Sequence, residues 1–218
     1  MRVACDHIAP HSGGARYLRN TGELELTLVC DACGQVSRRM GRIGYRLEPR
    51  RLVVQVAELI ARELALGDAQ AARVRFAALV CGVGRDQIPA KILRKPGSLT
   101  AQEWREVQRQ PELAAALLGD VSMDDIREWI LCHRERPDGS GYPRGLRGEQ
   151  IPLEARILAV ADAYTAMVSE RPYRRPRDHR DACRELLRCA GTQFDAEVVK
   201  AFLQASHGPR ASLGRAAA

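Results

Sequence analysis

Cys30 and Cys33 stand two residues apart and are followed by Gly34. That spacing lets one tight turn present two thiolates to a tetrahedral Zn²⁺, and glycine tolerates the left-handed backbone such turns often need. Cys5 and His7, upstream, complete a four-ligand set; His11 is the alternative to His7, because the Cys-x-His bite is tight. Four protein ligands leave no open position, so the chemistry expected here is structural zinc. A redox C-x-x-C would accompany a thioredoxin-like βαβ pattern, which this sequence lacks. Cys81, Cys132, Cys183 and Cys189 are scattered through helical sequence and are expected as thiols.

Arginine is the other chemistry-bearing type. All but three of the 34 basic residues (Lys91, Lys95, Lys200) are arginine, set against 27 acids for a formal charge of +7. Guanidinium groups grip phosphate bidentately and stack on bases, so a nucleotide or nucleic-acid partner is a candidate. Arginines that merely solvate helix faces give the same composition, and net charge does not separate the two.

These residues need a scaffold, and 218 residues with 45% apolar content provide one. The longest apolar run, Phe76 to Gly84, is nine residues and far short of the ~20 that a membrane span needs. Met1-Arg2-Val3 leads into polar sequence without a signal-peptide core, so a cytoplasmic protein with no membrane insertion is expected.

Residues 1–47 read as a small β module. Leu24 to Val29 alternates apolar and polar residues, Asn20-Thr21-Gly22 makes a turn before it, and Gln35 to Met40 supplies a returning strand. So small a module has too little core to stand alone, which is a reason for a metal staple. Zinc ribbons serve nucleic-acid and protein contacts alike; few aromatics (Tyr17, Tyr45) accompany the arginines here, and the two uses stay open.

From residue 48 to 205 the period becomes helical. Val53, Val56, Ala57, Ile60 and Leu64 recur at three- and four-residue steps behind Pro49. Further helices are predicted at about 68–81, 112–118, 122–134, 153–169, 178–189 and 196–205. Thr100-Ala101-Gln102-Glu103 reads as a capping box opening another. Residues 206–218 are small and polar and are expected to be a mobile tail. The fold class is therefore mainly α, a helical domain preceded by a zinc-braced β module.

Four segments of the helical domain carry the most specific signal. They are His133-Arg134-Glu135-Arg136-Pro137-Asp138-Gly139-Ser140-Gly141-Tyr142-Pro143, then Ile151-Pro152 through Ala161-Asp162-Ala163-Tyr164, then Arg171-Pro172-Tyr173-Arg174 with Gly191-Thr192-Gln193-Phe194-Asp195. Their order and spacing resemble the HD-GYP domain, a helical, metal-dependent class of cyclic di-GMP phosphodiesterase within the HD superfamily. The resemblance covers about residues 48–205.

The resemblance implies two or three iron or manganese ions held by His and Asp side chains, and here the chain departs from it. The name-giving His-Asp pair falls at Cys81-Gly82, an upstream His falls at Pro49, and the His before Pro111-Glu112 is Gln110. The His-His pair is His133-Arg134. His133 and Asp162 are the ligand positions that survive; the lysine after the His-Asp pair is Arg85, and the Asp after the Ala-Asp segment is Thr165. Residual helix-to-helix hydrogen bonding is the other reading of His133 and Asp162. Without several convergent ligands, a metal-bridged water cannot be activated for phosphodiester hydrolysis.

The resemblance also places a nucleotide against Tyr142, Arg171 and Arg174. The alternative makes residues 139–143 a structural turn and residues 171–180 a solvated basic stretch. The leading expectation is a degenerate HD-GYP signalling or regulatory protein without phosphodiesterase activity. It would bind cyclic di-GMP, carry structural zinc on Cys5, His7, Cys30 and Cys33, lack catalytic iron or manganese, and act on a protein signalling partner. Two readings stand beside it: a phosphodiesterase with a rebuilt metal site, and a zinc-ribbon adaptor for nucleic acid or protein.

Overall fold

Residues 11–18, 23–30, 36–42, 50–116, 118, 123–170 and 175–207 are described by the structure, a computed structural model. Three antiparallel strands come first: β1 (His11–Leu18), β2 (Glu23–Cys30) and β3 (Val36–Arg42), in the order β1-β2-β3. The two strands expected from the alternation are β2 and β3. β1 was not expected, because Gly13-Gly14 breaks its pattern and β-propensity is poor there. Its register places His11 opposite Cys30.

The helices are α1 (Arg50–Glu63), α2 (Asp68–Cys81), α3 (Ala90–Leu93), α4 (Ala101–Gln108), α5 (Gln110–Ala116), α6 (Asp124–Cys132), α7 (Leu153–Val168), α8 (His179–Arg188) and α9 (Ala196–His207). None among the described residues is long and apolar enough to cross a membrane. The Thr100 capping box forms as expected: Glu103 N donates to Thr100 Oγ1 at 3.2 Å and Thr100 N to Glu103 Oε2 at 2.7 Å. α5 begins two residues before the predicted 112, because Pro111 sits in its first turn, where a missing N–H costs nothing.

α7 is the central helix, in contact with α1, α2, α6, α8 and α9. Ala155, Ile157, Leu158, Val160, Ala161 and Tyr164 are all buried, so its apolar surface runs most of the way round, as a helix enclosed by others requires. α1 instead buries one stripe, Val53, Val56, Ala57 and Ile60. Between α2 and α3 a 3₁₀ turn (Val83–Gln87) passes against α5. A Cβ on Gly84 would collide with the Gln110 carbonyl oxygen, so glycine lets that turn lie directly on the α5 backbone. This contact holds α5, which starts at Gln110, against the turn that follows Cys81 and Gly82.

Candidate active-site cavity

α6 ends at Cys132, and the chain that follows is a loop held by its own hydrogen bonds. His133 is buried and its Nδ1 donates to Ile130 O at 2.5 Å. Glu135, also buried, accepts Arg144 N at 2.6 Å and Leu146 N at 3.0 Å, closing the loop around its carboxylate. Asp138 Oδ1 accepts Ser140 N at 2.8 Å. A Cβ at Gly141 would strike the Glu135 and Arg136 backbone, so the tip folds back onto its own stem only with glycine there. Tyr142 N donates to Arg134 O at 3.2 Å, which fixes the tyrosine beside Arg134.

Tyr142 and Arg134 face a cavity of about 910 Å³, which Cys81, Gly82, Arg85, Gln110, Asp162 and Thr165 also line. A smaller chamber of about 380 Å³ adjoins it, lined by His133, Arg136, Ser140 and Gln193 among others. Trp104 and Tyr142 line both. Their rings meet edge to face, with centroids 6.2 Å apart and planes at 78°.

Arg134 Nη2 lies 2.8 Å from Asp162 Oδ2, with side chains 31% and 27% exposed. The same nitrogen reaches Gln110 Oε1 at 3.4 Å. Burial disfavours the guanidinium charge, but the adjacent Asp162 carboxylate outweighs it and raises the pKa above its ordinary value. His133 moves the other way. Burial, reinforced by the Arg134 charge, lowers its pKa to about 4, so the ring is neutral near pH 7. Its Nε2 has no hydrogen-bond partner among the described residues.

The residues brought together here do not fit a multinuclear metal centre. Gly82 has no donor atom, the Cys81 thiol donates to Ala78 O at 3.4 Å, and Arg134 puts a fixed cation on Asp162. Coulomb repulsion from that cation opposes a second positive charge at the same carboxylate. His133 lines the smaller chamber and Asp162 the larger. Among the described residues, no three His, Cys, Asp or Glu side chains are grouped to hold a metal ion.

Of the residues singled out from sequence, Tyr142, Arg134, Asp162, Cys81, Gly82, Gln110, Arg85 and Thr165 line one cavity. Arg171, Arg174 and Pro49 lie outside the described residues, as do Cys5, His7, Cys33 and the side chain of Cys30. Sequence reasoning passed over Trp104, and it quoted Gln193 within a motif without giving it a role. The usable signal for Trp104 was a large aromatic on a short, otherwise polar helix, since α4 buries none of its residues.

The HD domain family model matches residues 23–198. The chain is 38% identical over 148 residues to a cyclic di-GMP phosphodiesterase of Thermotoga maritima, covering 66% of this chain and 40% of the relative. It is 40% identical over 152 residues to the cyclic di-GMP phosphodiesterase response regulator RpfG of Xanthomonas campestris, covering 68% of this chain and 40% of that protein. The chain thus spans well under half the length of these relatives. Among solved structures it is similar in fold to Bd1817, an HDG"Y"P protein of Bdellovibrio bacteriovorus. The TM-score is 0.60 at 16% identity, covering 73% of this chain and 52% of that one.

Proposed function

The chain belongs to the HD domain family, and from that premise we propose that it is a regulator of the HD-GYP type that binds cyclic di-GMP without hydrolysing it. The single observation that carries the reading is the Arg134–Asp162 ion pair at 2.8 Å, within the larger chamber. Metal-assisted hydrolysis needs ions that activate water and neutralise charge developing on the phosphate. Arg134 supplies the neutralising charge alone. A guanidinium grips a phosphate and lowers the pKa of no water, so such a pocket binds and does not cut.

Tyr142 lines the same chamber as that pair. Tyr142 stacks on a guanine face, and Arg171 and Arg174 hold phosphate or a guanine edge, as the family resemblance implies. The relatives named above as cyclic di-GMP phosphodiesterases support the choice of ligand class. Residues 1–47, braced by zinc on Cys5, His7, Cys30 and Cys33, form a second unit that presents the signal to a protein partner.

Calorimetry with cyclic di-GMP in the presence of a chelator, together with product analysis under added manganese or iron, tests this. The expected result is saturable binding that the chelator leaves intact, with no linear dinucleotide or GMP formed. Turnover that vanishes in a His133→Ala/Asp162→Ala variant replaces the reading with a rebuilt enzyme site. No binding, alongside steeply salt-dependent association with DNA or RNA, replaces it with a nucleic-acid adaptor.

A further inference from the structure

Trp104 is 47% exposed, and the other large apolar side chain exposed among the described residues, Leu187, lines neither chamber. The indole lies on the boundary between the two chambers, braced by the edge-to-face contact with Tyr142. Its helix is anchored by the Thr100–Glu103 capping box and by Lys95 Nζ, 2.6 Å from Glu103 Oε2. A fixed, wet aromatic surface beside a polar recess suits a ligand with a flat π face and a hydrogen-bonding edge. A nucleobase has both; a lipid or an aliphatic ligand lacks the edge.

The smaller chamber says which edge. Arg136 and His133 line it. Because His133 Nδ1 carries the proton donated to Ile130 O, Nε2 is an acceptor, buried and without a partner among the described residues. Guanine offers O6 and N7 acceptors to a guanidinium and N1–H and N2–H donors to an imidazole nitrogen. Adenine places a donor where guanine has O6. We propose that Trp104 is the stacking surface for a guanine base seated in the smaller chamber, with Arg136 reading O6 and N7. This rests on the reading of the cavity as a cyclic di-GMP site and assigns the place of one of the two bases.

The chain has two tryptophans, and Trp129 on α6 is buried, so indole emission reports on Trp104 against an internal reference. Cyclic di-GMP, with GMP as a single-base probe, is titrated by fluorescence and by calorimetry into wild-type, Trp104→Leu, Trp104→Phe and Arg136→Gln proteins. Stacking quenches the wild-type emission. Trp104→Leu loses the quench and raises Kd by roughly 5- to 140-fold, the range of one base–aromatic stack, while Trp104→Phe keeps most of the affinity. Arg136→Gln loses the preference for GMP over AMP. Calorimetric binding unchanged in Trp104→Leu, or an AMP preference equal to that for GMP in wild type, overturns the assignment and leaves the cyclic di-GMP reading standing. No calorimetric binding of either ligand to wild type overturns both.

Discussion

The guanidinium of Arg134, at the start of the Gly-Tyr-Pro loop, donates to the Asp162 carboxylate on α7 at 2.8 Å. The pair ties the loop to the central helix and sets a permanent cation at the wall of the larger chamber. Arg134→Ala should weaken cyclic di-GMP binding by about 1.5–3 kcal/mol, the range for a hydrogen bond to a charged group. It leaves Asp162 without this counter-charge, so unfolding in urea should also shift by about 1–2 kcal/mol. Calorimetry at fixed ionic strength and urea titration measure the two effects. Binding in Arg134→Ala that becomes as tight as wild type would show that the guanidinium does not touch the ligand.

Restoring the name-giving pair tests whether the replaced ligand positions decide between binding and hydrolysis. Cys81→His/Gly82→Asp should remain inactive with manganese or iron, because Gln110 and Arg134 still occupy ligand positions and metal affinity depends on the whole set. Gly82 has φ −79° and ψ −11°, ordinary right-handed backbone, so the aspartate meets no conformational penalty there. Cys81 is buried, so failure of the double variant reflects missing ligands where urea titration shows that it keeps wild-type stability. Adding Gln110→His and Arg134→His should be the smallest set that recovers stoichiometric metal, read by elemental analysis. Strong activity in the two-residue variant would mean the remaining side chains already form a working site.

The helical domain was largely legible because its signals are local. The Thr100 capping box and the 3.6-residue stripe of α1 each depend on residues within a few turns. What the sequence could not supply was long-range. No periodicity predicts that Gly84 would let the 3₁₀ turn lie on α5, or that Trp104 would meet Tyr142 across 38 residues of chain. Motif spacing named Arg134 and Asp162 separately, and folding made them an ion pair. β1 was missed because two central glycines erase the alternation, and pairing with β2 replaces the propensity it lacks.

His133 gives a pH signature. Its pKa falls from 6.5 in the unfolded chain to about 4 in the folded one, through burial and then the Arg134 charge. Between those values the unfolded chain binds a proton that the folded one does not, so stability falls as pH drops from about 6.5 toward 4. The loss attributable to this ring is at most about 3 kcal/mol. His133→Asn, which keeps a donor for Ile130 O, should flatten that part of the profile in urea titrations at pH 7 and pH 5. An identical slope in wild type and variant would assign the acid sensitivity to other groups.

The N-terminal unit should stand or fall with its metal. Cys30 ends β2 and Cys33 follows three residues later, so a metal there would fasten the exit of the central strand of a three-stranded sheet. A sheet of three short strands gains little from its own burial, and in such modules metal affinity is folding energy. We expect about one zinc per chain, lost on Cys30→Ser or Cys33→Ser, with amide-exchange protection of residues 1–47 lost alongside. His7→Ala should lower zinc affinity. If His11→Ala does so instead, the fourth ligand is the residue that faces Cys30 across the β1–β2 ladder. Emission from Trp104 and Trp129 should stay unchanged through chelation, because both belong to the helical domain. Exchange protection of residues 1–47 that survives complete removal of zinc would show that the strands hold together without a metal.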